Sequence, residues 1–379
     1  MIIEAVHYET YRPVRIEIAG GYITGITELS AERGDGLLAA PALIDNQING
    51  YRGVDFSSDD LTVEKVSQAA EAIISDGVTT FMPTLITNSH ENLVRNFKIL
   101  ASALKDPFLK ETIPGFHLEG PYISTEDGFY GCHPVKYIRK PSWVEFLEYL
   151  EAAEGNIIQV TLSPETEGAI EFIARCTENK IITAIGHSNA PAGVIDLAVR
   201  KGARLSTHLG NGCANMIHRH NNPLWAQLAN DLLTPTLIAD GHHLLPEEIK
   251  VFYKVKGAQN LILTSDVNHL IGMPAGNYSY LGSEVVYTED GLIKNPKMNC
   301  LAGASMPLKK GVETVMKCTG CTLGEAIDMA SKNVAYIYNL SDRGTLTPGK
   351  RADIILFELK DYQLNIKKTF LKGRLVYQV

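Results

Sequence analysis

No stretch of the sequence approaches the eighteen or more consecutive apolar residues that a membrane-spanning helix needs, and no low-complexity tract or short-period repeat breaks it up. The opening residues, MIIEAVHYETYRPVRIEIAGG, place acidic and aromatic side chains where an export signal requires a basic start and a long apolar run. A soluble, cytoplasmic protein without membrane contacts is therefore expected. Positive charge is in short supply: 35 Lys and Arg against 43 Asp and Glu give a net charge of −8. That balance argues against a dedicated nucleic-acid binder, which needs a basic footprint, but is compatible with a small anionic ligand. Cysteine is sparse as well. Six residues, at 132, 176, 213, 300, 318 and 321, are too scattered for a disulfide framework and read as reduced thiols. Cys318 and Cys321 form a CxxC, yet no second pair follows at zinc-site spacing and the segment reads as helical.

What the chain does have is a pattern repeated eight times: a short apolar, β-branched run ending in a polar or ionisable residue, followed by a helix-like stretch. The runs are Ala42 to Ile44 leading to Gln47, Thr79 to Met82 leading to Thr84, Gly115 to Leu118 leading to Glu119, and Ile157 to Leu162 leading to Glu165. They continue with Ile181 to Ile185 leading to His187, Arg204 to Thr207 leading to His208, Thr236 to Ile238 leading to Asp240 and His243, and Leu261 to Thr264 leading to Asp266. Between them lie amphipathic stretches, such as Val63, Val66, Ala70 and Ile73 on one face, stopped near Gly77. Strands apolar on both faces and alternating with helices suit a parallel sheet. Eight of them suit an α/β fold of the (β/α)8 TIM-barrel type, with a doubly wound open sheet as the alternative.

The two ends differ from the middle. Residues 1–40 and 343–379 read as short alternating strands punctuated by Gly20, Gly21 and Gly373. They are expected to pair into a small discontinuous β-sandwich domain, leaving residues 41–342 as the barrel. Ser142 with Glu145, and Thr322 with Glu325, have the spacing of capping boxes and mark helix starts.

In a barrel of this type the chemistry gathers at the carboxyl ends of the strands. Glu119, His187 and His208 end the third, fifth and sixth runs and converge on one rim, where two imidazoles and a carboxylate suit a divalent metal with a coordination position left open for water. Asp266, ending the eighth run in LILTSD, is placed to take a proton from that water and pass it to a leaving amine. His133, in YGCHP, and His243, in ADGHH, lie just beyond the third and seventh runs, where either can polarise a carbonyl or bind an anion. The segment HLGNGCANMIHRHNNP at 208–223 offers Asn211, Gly212, Arg219 and backbone amides as a clamp for a phosphate or carboxylate. The HxH of His218 and His220 reads as part of that loop's surface. A non-catalytic scaffold that kept the barrel and lost its metal is the rival from another class, and the complete set of four rim residues speaks against it.

These segments resemble the N-acetylglucosamine-6-phosphate deacetylases of the amidohydrolase superfamily, and the resemblance runs nearly end to end. Its markers are PALIDNQINGYRGVDF at 41–56, DGVTTFMPT at 76–84, GFHLEGPY at 115–122, GCHP at 131–134, GHSNA at 186–190 and THLGNG at 207–212. They continue with ADGHH at 239–243, SDV at 265–267, LAGAS at 301–305 and GTLTPGKRADIILF at 344–357. The resemblance implies Glu119, His187 and His208 as metal ligands, Asp266 as general base and acid, and His133 near the acetyl carbonyl. It sets Asn211, Gly212, Arg219 and His243 around a sugar phosphate, with Cys132, Leu301, Ala302 and Gly303 against the sugar. It also implies a homodimer that shares its phosphate contacts, and deacetylation of N-acetylglucosamine 6-phosphate in amino-sugar metabolism. The same chemistry on N-acetylgalactosamine phosphate, an unphosphorylated acetylamino sugar or an N-acyl amino acid is the nearest alternative. Two departures stand out. Where many amidohydrolases carry HxH on the first strand, this chain has Gln47, Ile48 and Asn49. Neutral amides are poor transition-metal ligands, so one ion per subunit is expected, zinc in the first place, with iron, manganese or cobalt also able to occupy such a site. After His208 the family usually shows a bulky residue and then Asn-Ala-Met; here the chain reads Gly210, Asn211, Gly212, Cys213.

Overall fold

The computed structural model describes residues 1–30 and 36–379; residues 31–35, within the first span of the expected β domain, lie outside the described residues. The centre of the molecule is a ring of eight parallel strands in chain order: Leu43–Ile48, Val78–Ile86, Phe116–Glu119, Ile157–Leu162, Ile182–Ile185, Leu205–Ser206, Thr234–Leu237 and Ile262–Leu263. Closure is made just past the eighth strand. A parallel bridge joins Ile48 to Val267, the Asn49 amide donates to the Val267 carbonyl at 2.8 Å, and the Asp266 amide donates to the Gln47 carbonyl at 3.1 Å. All eight expected runs fall on these strands, and the sheet is a closed barrel rather than an open one.

The helices between the strands form for legible reasons. In Val63–Ser75 the Thr62 side chain accepts from the Lys65 amide, and Val66, Ala69, Ala70, Ile73 and Ile74 make one buried stripe. Each of the larger of these aliphatic side chains contributes about 1.5–3 kcal/mol by leaving water. Gly77, at φ +87°, then turns the chain into the second strand, where a side chain would be strained and would crowd Ile366 and Ile355. Ser142 caps Trp143–Ala152 through the Glu145 amide, and Thr322 and Glu325 complete a reciprocal capping box at Leu323–Met329.

Strands from both termini share one seven-stranded sheet, ordered Arg374–Gln378, Gln363–Leu371, Ile354–Lys360, Leu38–Pro41, Ile2–His7, Pro13–Ala19 and Tyr22–Glu28. A bridge between Tyr22 and Arg351 brings the strand at one edge back towards the chain that enters the other half.

One element was not anticipated. After the eighth strand the chain builds a four-stranded antiparallel flap, Gly276–Tyr280, Ser283–Tyr287, Ile293–Asn295 and Cys300–Leu301, before returning to helix Leu308–Thr319. Its strands are short and half-exposed, so the apolar runs that reveal the barrel strands are missing. Among the described residues no helix is long and apolar enough to cross a membrane.

Candidate active site

The loops at the carboxyl ends of the barrel strands enclose a cavity of about 430 Å³, of a size suited to a small ligand. Glu119 closes the third strand. His187 and His208 each lie two residues beyond their strands, and Asp266 lies three beyond the eighth. His187, His208 and Asp266 adopt left-handed backbone conformations, with φ of +51°, +29° and +51°. Side chains other than glycine reach this region at a cost of about 1–3 kcal/mol each, which the surroundings must offset. Backbone bonds fix all three. The His187 carbonyl accepts from the Ser124 amide at 3.0 Å, the His208 amide donates to Thr236 Oγ1 at 2.7 Å, and the Asp266 carbonyl accepts from the Ala304 amide at 3.1 Å. The turn at each strand end swings these side chains over the barrel mouth.

There they meet. Glu119 Oε1 lies 2.9 Å from His208 Nε2 and 3.3 Å from His187 Nε2. His187 Nδ1 donates to the Phe129 carbonyl at 3.0 Å, which turns Nε2 towards Glu119. Burial alone would raise the pKa of Glu119, but the two imidazoles hold it well below the ordinary carboxylate range. A buried carboxylate with two imidazole nitrogens turned towards it is the donor set of a borderline divalent cation, so the residues fit a metal ion. His133 stands close by: its ligand atom, that of His187 and that of Glu119 lie within 4.8 Å of one another. His133 Nδ1 is bonded to Thr87 Oγ1 at 2.8 Å, and burial, ahead of its repulsion by His187, pushes its pKa down to about 3. It is a neutral imidazole with Nε2 free for another partner.

Asp266 Oδ1 accepts from Gln47 Nε2 at 2.9 Å and from Asn49 Nδ2 at 2.8 Å. The two amides that replace an HxH pair thus act as donors to the carboxylate. Burial, and then the charge of Glu119, raise the pKa of Asp266 to about 6. Beyond the neighbouring seventh strand, His243 Nδ1 is bonded to Asp240 Oδ2 at 2.8 Å, while Asp240 Oδ1 accepts from the His242 and His243 amides. Asn211, Gly212, Cys132, Leu301, Ala302 and Gly303 also line this space. Gly212, at φ +61°, packs against the ring of His187, and a methyl there would come within 2.8 Å of Nδ1. Arg219 is the exception among the expected residues. It is exposed, outside the cavity of its own chain, with its carbonyl accepting from Trp225 Nε1. His218 and His220 are exposed as well.

A sequence model of the amidohydrolase family matches residues 38–376. N-acetylglucosamine-6-phosphate deacetylase of Caenorhabditis elegans is 32% identical over 90% of this chain and 83% of its own length. The chain belongs to the amidohydrolase family, among its N-acetylglucosamine-6-phosphate deacetylases. A crystal structure of N-acetylglucosamine-6-phosphate deacetylase from Thermotoga maritima superposes on this amidohydrolase with a TM-score of 0.89 at 29% identity, covering 100% of both chains. An N-acetylgalactosamine-6-phosphate deacetylase of Escherichia coli O157:H7 is 28% identical over 95% of this chain and 94% of its own.

Residues that reading the sequence passed over are Thr87, which orients His133, and Tyr280, which brings the flap onto the cavity. Neither lies in a segment with a chemical signature. Asp240 was seen as a strand end, but its hold on His243 was not, although the ADGHH spacing of three residues permits it.

Proposed function

We propose that this amidohydrolase hydrolyses the acetamide of N-acetylglucosamine 6-phosphate to glucosamine 6-phosphate and acetate. The observation that carries the reading is the buried cluster of Glu119, His187 and His208 beside Asp266 at the floor of the cavity. Glu119, His187 and His208 would hold one divalent ion, zinc by our reading, and its chemistry when bound would be Lewis acidity towards the acetyl carbonyl and water. Asp266 takes the proton of the attacking water and delivers it to the amide nitrogen as the C–N bond breaks. Gln47 and Asn49 aim its carboxylate for both transfers. His133, its Nδ1 engaged by Thr87, donates from Nε2 to the oxygen on which charge develops.

Asp266 must be ionised to accept that proton. Its pKa of about 6 is set without a cation, and a bound cation draws it lower. The acid limb of kcat/KM is therefore expected at or below pH 6, activity falling as the carboxylate protonates. A pH–rate profile checks this, and a limb centred more than about one unit higher contradicts it.

Asn211, the Gly212 amide and His243 bind the phosphate from within the chain, and Arg219 completes the clamp from a second copy in a homodimer. The support for this is the exposure of Arg219 outside its own cavity, alongside Met216 (90% exposed) and Trp225 (54%), whose indole Nε1 donates to the Arg219 carbonyl. Arg219→Ala is expected to raise KM for the phosphorylated sugar about 10- to 100-fold, the loss of a charge-assisted hydrogen bond, and to leave the unphosphorylated sugar unaffected. The test is acetate release from the 6-phosphates of N-acetylglucosamine and N-acetylgalactosamine and from unphosphorylated N-acetylglucosamine, by both proteins. Preference for the galactosamine phosphate, towards which the E. coli relative points, or for the unphosphorylated sugar, overturns the substrate assignment. We place the protein in the cytoplasm, a reducing compartment that suits a chain whose six cysteines are unpaired.

A further inference from the structure

Two thiols meet at the mouth of the cavity. Cys132 sits in the loop beyond the third strand, next to His133, and Cys300 opens the last strand of the flap. Their Sγ atoms are 2.7 Å apart, within about 0.7 Å of the length of a covalent disulfide. Cys132 Sγ also lies 3.2 Å from the Leu301 carbonyl oxygen, so the contact is a seam between the two segments. Both cysteines are partly exposed and line the cavity, whereas Cys176 is buried in the core. The hydrogen bond from Cys132 holds Cys300 below the ordinary thiol pKa, which favours Cys300 as the attacking sulfur.

We propose that Cys132 and Cys300 are a reversible disulfide site that ties the flap to the His133 loop and slows turnover when closed. The oxidant is a low-molecular-weight disulfide. The Cys300 thiolate attacks one of its sulfurs, forming a mixed disulfide and expelling one thiolate. Cys132 then loses its proton and attacks Cys300 Sγ, and the second small thiolate leaves. Two protein thiols are oxidised by two electrons, and the small disulfide is reduced to two thiols. The closed bond matters because the cavity lies beneath both segments, with His133 on one side and Tyr280 and Ala302 on the other. A sugar phosphate enters and its products leave by parting them. Transient, regulatory disulfides of this kind are the type that a reducing compartment tolerates.

The effect on turnover rests on the proposed deacetylase reaction; the bond itself does not. Zinc-loaded full-length protein is incubated with oxidised glutathione, and non-reduced peptides are mapped by mass spectrometry beside a free-thiol count and an acetate assay. Two of the six thiols should disappear, a linked peptide should carry Cys132 and Cys300, and turnover should fall about tenfold until dithiothreitol restores it. Cys300→Ser should show the same rate before and after oxidant, each measured against its own reduced state. An intact thiol count, or a linked pair other than 132 and 300, overturns the site. A Cys132–Cys300 bond that leaves turnover unchanged, or equal oxidant sensitivity in Cys300→Ser, overturns its control of the reaction. Peptide mapping of the wild-type chain decides the first point even if the variant does not fold or no acetate is released.

Discussion

Asp266→Asn is expected to keep its metal ion and lose turnover by about 10³-fold, equivalent to about 4 kcal/mol of barrier. The substitution keeps the shape of a side chain that is buried at the barrel mouth and held by Gln47 and Asn49. It removes the one group placed to carry a proton from water to nitrogen. The amide oxygen can still accept from Gln47 and Asn49 as Oδ1 does, so the side chain stays oriented while the other, basic oxygen is replaced by a group that only donates. Because Glu119, His187 and His208 are untouched, metal content by mass spectrometry and the thermal midpoint should stay near wild type, and the acid limb of the pH profile should vanish. Near-wild-type turnover in this variant would remove Asp266 from the reaction.

Glu119→Gln should act at the step before. Its carboxylate faces both imidazoles, at 2.9 and 3.3 Å, and it is buried. A neutral amide oxygen in the same place donates weakly to a transition metal, so affinity should fall by more than the 10- to 100-fold typical of lost outer partners. Purified variant protein should contain little metal and release little acetate, and excess zinc should recover only part of the rate. The fold should survive, since the amide keeps the shape of the buried side chain and removes a charge rather than adding one. Metal content measured beside circular dichroism separates a lost ligand from a lost structure. A fully loaded, active Glu119→Gln protein would contradict the assignment.

The barrel was legible because its strands are buried on both faces and each ends in a polar residue that cannot continue the apolar run. Glu119, His187, His208 and Asp266 could therefore be placed on one rim before any distance was known. The flap was not legible, since strands such as Gly276–Tyr280 mix glycine, asparagine, serine and tyrosine without a buried period. Gln47 and Asn49 were read only as missing ligands; their bonds to Asp266 span 219 and 217 residues and depend on barrel closure. The left-handed backbone at His187, His208 and Asp266 was equally hidden, because it is imposed by tertiary bonds and not by residue type. Arg219 was placed by its position in the segment at 208–223, and position in a loop does not tell whether the loop folds over its own cavity or away from it.

The most direct test of the account is acetate release from N-acetylglucosamine 6-phosphate by protein stripped with a chelator and then reloaded with one equivalent of zinc. The account predicts negligible release from the stripped protein, strong release after reloading, and one free amine formed for each acetate. Release that persists without metal, or none from fully loaded protein, would contradict it.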